Sequence, residues 1–230
     1  MIEPVSVYIG YDPKESAAYH VLAHSIARHA SRPVSITPVN LMNLREFSRE
    51  RHPKQSTEFS FSRFLVPYMT GFKGRAIFMD CDMLCRGDIT ELWDETPLNG
   101  PAVHVVKHDY VPRGETKFLG QPQTPYHRKN WSSVMLFNCF NCRNKVLTPD
   151  YVSRATGLEL HQFKWLDDDR IGELPTEWNW LVGEYPHNPD AKLVHFTIGG
   201  PYFSEYKECD YADEWFRERD MAMNVEQRAA

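Results

Sequence analysis

The hydrophobic pattern of the first forty residues predicts a strand, a helix and a second strand. Residues 5–9 combine β-branched and aromatic side chains and end at a Gly-Tyr-Asp-Pro turn. Ala18, Leu22 and Ile26 then recur at helical spacing, and residues 34–39 are again rich in β-branched side chains. A strand, helix and strand over so short a stretch form a βαβ unit, which predicts the start of an α/β sheet.

Later apolar runs predict the rest of the sheet. Residues 75–79 form a short apolar run between Gly74 and Asp80, the pattern of a buried central strand. The other predicted elements are strands at 102–106, 134–137 and 193–196, helices at 61–69 and 213–228, and a short helix with a surface loop at 45–58. Residues 108–130 read as a long irregular loop, and loops of such length in compact domains are usually functional or disordered.

Length and composition predict one globular domain over residues 1–230. The chain is 42% hydrophobic and 25% charged, and a chain of 230 residues buries enough surface to fold without a disulfide or metal. The formal net charge is −5 and no basic tail is present. A general nucleic-acid-binding surface is therefore not expected, because such surfaces cluster Lys and Arg.

The amino terminus and the cysteines predict a cytoplasmic protein. The first residues lack the basic and apolar regions of a signal peptide, and no segment approaches the ~20 consecutive apolar residues of a membrane span. Five cysteines, an odd number, favour reduced thiols. Cys81 with Cys85 and Cys139 with Cys142 have spacings found in zinc sites, but Cys81 lies in an apolar run and is expected to pack as a small apolar group.

The main chemical signal is Asp80-Cys81-Asp82, directly after the 75–79 strand. Open α/β sheets bind ligands just beyond the carboxyl ends of their strands. Two carboxylates one residue apart can bind one hard cation such as Mg²⁺ or Mn²⁺. Phosphate oxygens of a substrate commonly complete the coordination shell of such a cation. An Asp-x-Asp motif alone is frequent and usually solvated, but its position after a buried strand favours a metal site.

Six further segments follow one another along nearly the whole chain: Phe61–Pro67, Ala76–Asp82, Gly87–Trp93, Ser132–Asn138, Leu174–Asn179, and His195-Phe196-Thr197 with Gly199 and Gly200. Together and in this order they resemble glycosyltransferase family 8, which includes glycogenin and bacterial galactosyltransferases of lipopolysaccharide synthesis. The resemblance implies a GT-A-like α/β domain with a mostly parallel central sheet and helices on both faces. It also implies a metal-dependent glycosyltransferase that uses a nucleotide sugar, expected to be a UDP-sugar, and retains the anomeric configuration.

The resemblance implies roles for individual residues. The Asp80-Cys81-Asp82 motif would bind the cofactor, and Asp80, Asp82 and His195 would be the ligands of Mn²⁺ or Mg²⁺. Tyr11 would stack on the base and Asp12 would accept a hydrogen bond from base or ribose, the alternative being a capped turn with Pro13.

Three acidic residues and one arginine would act on the donor. Asp167, Asp168 and Asp169 stand in place of the family's Asp-Gln-Asp segment, and Asp168 or its neighbours would position the donor sugar or stabilise its oxocarbenium-like state. Arg63 would bind phosphate in a forked geometry, the alternative being an ion pair with a buried carboxylate.

The chain departs from the family pattern where Gly200-Pro201-Tyr202 replaces a phosphate-binding Lys-Pro-Trp, which suggests a short, divergent member. Arg63, Lys107 and Lys129 are candidates to supply the missing positive charge. The acceptor would be a saccharide or another hydroxyl compound. Trp131, Trp165, Trp178 and Trp180 would line its groove or pack in the core.

Two alternative functions remain open. A sugar-phosphate nucleotidyltransferase also needs a nucleotide, Mg²⁺ and paired aspartates, but no Gly-rich phosphate loop follows the first strand. The absence of the lysine of the family's Lys-Pro-Trp would also be consistent with a catalytically inactive module that binds nucleotide sugar or carbohydrate.

Overall fold

The computed structural model describes residues 3–51, 55, 57–96, 100–123 and 125–224. The strands are β1 (Val5–Gly10), β2 (Val34–Val39), β3 (Arg75–Met79), β4 (Met83–Cys85), β5 (Val103–Val105), β6 (Thr116–Lys117), β7 (Gln121–Pro122), β8 (Val134–Asn138), β9 (Ile171–Glu173), β10 (Trp180–Leu181) and β11 (Leu193–His195). The α-helices are α1 (Ser16–His29), α2 (Val66–Met69), α3 (Ile89–Asp94), α4 (Pro149–Arg154), α5 (Gly157–His161) and α6 (Ala212–Ala222).

The main sheet has the strand order β2-β1-β3-β8-β5-β9 and is mostly parallel, as expected. β1 pairs in parallel with β2 and β3, and β5 pairs in parallel with β9. Only β8, among the strands of this sheet, runs antiparallel to its neighbours, β3 and β5. Every residue of β5 and β8 is buried, which explains why these strands read as mainly apolar runs, with His104 and Asn138 as buried polar exceptions.

A second sheet, in the order β10-β11-β4, begins where β3 ends. The chain leaves β3, turns through residues 80–82 and enters β4, which pairs antiparallel with β11. This pairing sets His195 opposite Met83, and the Phe196 N–H donates to the Asp82 carbonyl at 2.9 Å. Two segments more than a hundred residues apart in sequence therefore meet at the end of β3.

Helix α1 packs against α6 with ion pairs to one buried carboxylate on α6. Glu218 on α6 accepts hydrogen bonds from Arg28 at 2.7 Å and lies 2.6 Å from a ring nitrogen of His24, both on α1. Burial alone would raise the pKa of Glu218, but these partners hold it below its ordinary value. Helix α6 ends at Ala222, earlier than the predicted 213–228 helix, and residues 225–228 lie outside the described residues.

Two predicted elements differ from the structure. The predicted 61–69 helix is a 3₁₀ segment, Ser62–Leu65, followed by the single turn α2, because Pro67 has no N–H and restricts the residue before it. In the described part of the 45–58 segment no helix forms, and residues 52–54 and 56 lie outside the description. The long 108–130 loop contains the short β6–β7 ladder.

The cysteines and the helix lengths concern two further expectations, about zinc binding and about a membrane span. Each of the five cysteines carries a free thiol, and none belongs to a cluster of possible metal ligands among the residues described. In the described part of the chain, no helix has both the length and the apolar character that crossing a bilayer requires.

Candidate metal and donor site

Asp80, Asp82 and His195 come together at the carboxyl end of β3. Each offers one ligand atom, and the three atoms all lie within 4.8 Å of one another. The two aspartate side chains are 14% and 13% exposed and the histidine 2%. The Asp80 N–H donates to the Ser133 carbonyl at 2.9 Å, which ties the turn to the end of β8. The β3–β8 and β4–β11 pairings thus bring the predicted ligands together.

Asn179 fixes the orientation of the His195 ring. The Asn179 Nδ2 donates to Ser133 Oγ at 2.8 Å and to the Asn130 carbonyl at 3.3 Å, so its Oδ1 must face the histidine. His195 Nδ1 lies 3.0 Å from that oxygen and therefore carries the proton it donates. Nε2 is then the ring nitrogen directed at Asp82, 3.4 Å from Oδ1, and in the neutral ring its lone pair is available to a cation. Metal-binding histidines are held in the same way, by a hydrogen bond to the other ring nitrogen.

The donor atoms fit a divalent cation. Among the described residues, none gives the buried Asp82 Oδ1 a hydrogen bond, and leaving a buried polar atom unpaired is costly. Burial raises the pKa of Asp80 to about 6, with Arg63 opposing the shift. Burial would also raise the pKa of Asp82, but the protonated form of His195, followed by the charge of Lys117, holds it below its ordinary value. Two carboxylates and one imidazole leave coordination positions for phosphate oxygens, as Mg²⁺ and Mn²⁺ sites commonly do.

Arg63 forms the ion pair that the sequence left as an alternative. Its Nη1 lies 2.7 Å from Asp80 Oδ1 and donates to the Ser132 carbonyl at 2.9 Å. The guanidinium carbon also lies 5.2 Å from the ring centres of Phe59 and Phe78. Arg63 therefore neutralises a predicted metal ligand, and direct phosphate binding by Arg63 stays a prediction.

Asp12 caps the turn that follows β1. Its Oδ1 accepts from the Lys14 N–H at 2.9 Å and its Oδ2 from the Glu58 N–H at 3.0 Å, as in the capped-turn alternative. The neighbouring Tyr11 is half-buried, and its ring packs edge-on against Tyr19 with centroids 5.4 Å apart. The base and ribose contacts of Tyr11 and Asp12 stay predictions.

Cys81 does not present its side chain to this site. It is fully buried within the hydrophobic core, and burial raises the pKa of its thiol well above the ordinary value. Any contact that residue 81 makes with a nucleotide is therefore limited to its backbone.

The candidate catalytic aspartates lie outside the metal cluster. The Asp167 side chain is 70% exposed and pairs with Arg143 at 2.8 Å, and the Asp168 side chain is 88% exposed and pairs with Arg128 at 2.5 Å. Asp169 is also exposed and pairs with Arg170. Their role toward a donor sugar is a prediction.

Sequence reasoning missed Glu15. Its carboxyl group is 2% exposed and accepts a hydrogen bond from the Tyr202 hydroxyl at 2.6 Å. Burial, followed by the charge of Asp82, raises the pKa of Glu15 to about 8. The Tyr202 ring reaches this carboxyl group because it lies across Gly200, where a Cβ would be 2.2 Å from the ring. The signal available in the sequence was the position of Glu15 just after β1, at the ligand-binding edge of the sheet.

Asn130 connects the long loop to the site. It has a left-handed backbone, φ 62°, which asparagine adopts more readily than most residues. Its carbonyl accepts from the Ser133 hydroxyl at 2.6 Å, and its side chain donates to Tyr110 at 2.7 Å and to Thr197 at 3.1 Å. No sequence pattern predicts the contacts of Asn130, because its partners lie as far away in the chain as position 197.

The four candidate groove tryptophans differ in burial. Trp178 is fully buried, whereas Trp131, Trp165 and Trp180 are half-buried and pack against the hydrophobic core clusters. The indole N–H groups of Trp131 and Trp180 donate to the carbonyls of His108 and Pro186, each at 2.9 Å. Core packing thus accounts for Trp178, and an acceptor groove lined by the other three stays a prediction.

The sequence comparisons identify the family. The sequence model described as Glycosyl transferase family 8 matches residues 14–200, most of the chain. The chain belongs to this family. The enzyme class expected from the sequence, a glycosyltransferase, is confirmed at this level. Protein CDI of Arabidopsis thaliana is 45% identical over 226 residues, which cover 95% of this chain and 87% of that protein.

Solved structures confirm the GT-A fold. An active-site mutant of LgtC has a TM-score of 0.58 and 14% identity over 98% of both chains. The bifunctional glycosyltransferase WbbM has a TM-score of 0.65 and 16% identity, and GlyE of Streptococcus pneumoniae has 0.62 and 15%. This chain is almost entirely covered in the last two comparisons, at 95% and 97%, but it spans 50% of WbbM and 63% of GlyE.

Proposed function

We propose that this protein transfers a sugar from a UDP-sugar to a hydroxyl group of a saccharide or another acceptor, with a divalent cation bound by Asp80, Asp82 and His195. The observation that carries the proposal is the three-ligand cluster at the carboxyl end of β3, in a chain of glycosyl transferase family 8. One LgtC structure with this fold is described as a complex with donor and acceptor sugar analogues, with a TM-score of 0.55. That description supports a two-substrate transfer here.

The chemistry requires positive charge beside the leaving group. Negative charge grows on the diphosphate as its bond to the anomeric carbon breaks, and a bound divalent cation stabilises that charge as a Lewis acid. Asp80 and Asp82 would hold the cation, and Asn179 would keep the Nε2 lone pair of His195 directed toward it. Because one ligand is an imidazole nitrogen, we propose Mn²⁺ rather than Mg²⁺ as the preferred ion.

The remaining roles follow the family resemblance. Tyr11 and Asp12 are proposed to contact the nucleotide, and Asp168 with Asp167 to position the donor sugar in a reaction that retains the anomeric configuration. A cytoplasmic location is part of the same proposal.

Slow hydrolysis of the donor tests the proposed function. The wild type, incubated with a panel of UDP-sugars and Mn²⁺ without acceptor, is expected to release UDP from at least one of them. Asp82→Asn, which keeps the side-chain shape but removes a ligand charge, is expected to abolish the release. Asp150→Asn is the matched control, because Asp150 is an exposed carboxylate on α4.

The outcomes separate the candidate functions. Release of UDP by the wild type and by Asp150→Asn, but not by Asp82→Asn, supports the transferase. Metal-dependent UDP binding without release favours the inactive binding module, and the absence of metal-dependent nucleotide binding contradicts the proposal.

A further inference from the structure

Two cationic side chains lie beside the Trp131 ring, just before β8 begins. Lys107 Nζ lies 5.9 Å from the centre of the ring, and the guanidinium carbon of Arg128 lies 5.2 Å from it. The half-buried Trp131 donates its indole N–H to the His108 carbonyl at 2.9 Å, which fixes the ring next to the segment that carries Lys107. Lys107, Arg128 and Trp131 are here called the basic cluster.

The basic cluster lies at the same edge of the main sheet as the metal site. Trp131 comes two residues before Ser133, whose carbonyl accepts from the Asp80 N–H at 2.9 Å. β3, which ends just before Asp80, and β5, which ends two residues before Lys107, both finish beside the start of β8 and on opposite sides of it. Neighbouring strands are about 4.8 Å apart, so the ends of β3 and β5 are about 10 Å apart.

This separation bears on which part of a substrate meets the basic cluster. A diphosphate held by the cation lies at the end of β3, and a sugar ring attached to it or placed next to it extends from there along the edge of the sheet. The spacing therefore suits contact of the basic cluster with a sugar ring better than contact with the diphosphate.

The two cations of the basic cluster differ in how far they are neutralised. Arg128 donates to the Gln162 carbonyl at 2.7 Å and pairs at 2.5 Å with Asp168, whose side chain is 88% exposed. Lys107 is half-buried, and no carboxylate among the described residues forms an ion pair with it. One unpaired ammonium thus lies beside the Trp131 ring, in a chain whose formal net charge is −5. Its single charge suits a ligand group that also carries one charge, such as a carboxylate.

We propose that Lys107, with Arg128 beside it, binds the carboxylate of a uronic acid, which is either the sugar that the enzyme transfers or the sugar that accepts it. This inference rests on the proposed function and names the substrate class of the same site. The ring of such a sugar packs against the Trp131 side chain, and its carboxylate accepts charge-assisted hydrogen bonds from the ammonium group. A neutral hexose offers the same ring without the carboxylate, so Lys107 discriminates between the two by charge.

Titration calorimetry with nucleotide sugars tests the donor. If the transferred sugar is the acid, the wild type with saturating Mn²⁺ is expected to bind UDP-glucuronate about tenfold or more tightly than UDP-glucose, the factor typical of a charge-assisted hydrogen bond. Lys107→Met should lose this preference and keep the affinity for UDP, which carries no sugar. Lys107→Arg should retain the preference, and Lys107→Glu should reverse it because like charges repel.

A second titration tests the acceptor. Glucuronate or glucose is titrated into the protein with UDP and Mn²⁺ already bound. If the acceptor is the acid, the wild type is expected to bind glucuronate about tenfold or more tightly than glucose, and Lys107→Met to bind both alike. Lys73→Met is the matched control for both titrations, because Lys73 is exposed in the turn before β3, and it should keep the wild-type preference.

The two titrations distinguish the sources of the carboxylate. A Lys107-dependent preference for the acid in the first assigns it to the transferred sugar, and one in the second assigns it to the acceptor. The inference is overturned if the wild type prefers the acid in neither, or if Lys107→Met keeps the preference. It is also overturned if Lys107→Met binds UDP itself more weakly than Lys73→Met, which would make Lys107 a diphosphate ligand. A wild type that binds UDP with Mn²⁺ but has no preference for the acid contradicts only this inference, whereas one that binds no UDP with Mn²⁺ contradicts the proposed function as well.

Discussion

At the scale of single residues, the hydrogen bond between His195 and Asn179 decides which ring nitrogen is available to a cation. Asn179 makes no contact that would put it in the ligand set, and its role is to hold the proton on Nδ1 through its side-chain oxygen. The Leu174–Asn179 segment was recognised from the sequence without a role for its last residue. The structure shows that role, because the Asn130 carbonyl and the Ser133 hydroxyl accept from the Asn179 amide and fix its orientation.

Replacing Asn179 tests this positioning role. Asn179→Leu is expected to lower Mn²⁺ affinity by about 10- to 100-fold, the loss typical when a hydrogen-bond partner of a metal-binding histidine is removed. Asn144→Leu is the control, because Asn144 is a buried asparagine whose amide also donates two hydrogen bonds, both to carbonyls at the opposite end of β8. Equal Mn²⁺ affinity in the two variants, measured by calorimetry, would show that Asn179 does not orient the ligand.

At the scale of elements, the strands were predicted from two different signals. β3 and β8 were predicted nearly to their ends because burial on both faces requires a continuous apolar sequence. β1 and the partly exposed edge strand β2 were predicted from their β-branched residues. The second sheet was predicted only at β11, because β4 and β10 have three and two residues and no periodicity can be read from so few. The Asp80 and Asp82 ligands could be predicted because they directly follow β3. Glu15 follows β1, but its hydrogen bond with Tyr202 arises only from tertiary packing and could not be predicted.

The 3₁₀ segment Ser62–Leu65 docks on the end of β3 through the Arg63–Asp80 ion pair. Arg63→Met would leave Asp80 buried without its counter-charge, and breaking such a pair typically costs about 3–5 kcal/mol of stability. Bound Mn²⁺ supplies positive charge to the same carboxylate. We therefore expect Mn²⁺ to raise the melting temperature of Arg63→Met by more than that of the wild type.

Arg75→Met is the control for this experiment. Arg75 donates to the carbonyls of Trp93 and Thr96 at the opposite end of β3, so its loss should destabilise the fold without changing the Mn²⁺ effect. Thermal unfolding with and without Mn²⁺ measures both. An equal Mn²⁺ shift in all three proteins would mean that Asp80 does not bind the cation.

At the scale of the whole molecule, two sheets joined by the Asp80–Asp82 turn form one site. The main sheet supplies the two aspartates from its central strand, and the second sheet supplies the histidine by pairing β11 with β4. The order of motifs along the chain predicted this fold and family, and both are confirmed. The identity of donor and acceptor could not be predicted from the same motifs, since residues outside them also lie near the site, such as Tyr110, whose hydroxyl accepts from Asn130.

The central claim is that Asp80, Asp82 and His195 hold a divalent cation that binds the diphosphate of a nucleotide. Crystals soaked with Mn²⁺ and UDP, with diffraction recorded at the manganese absorption edge, test it directly. The account predicts an anomalous peak in contact with both carboxylates and with Nε2 of His195, and the UDP diphosphate bound to that ion. A peak elsewhere, or UDP bound away from these three residues, would contradict it.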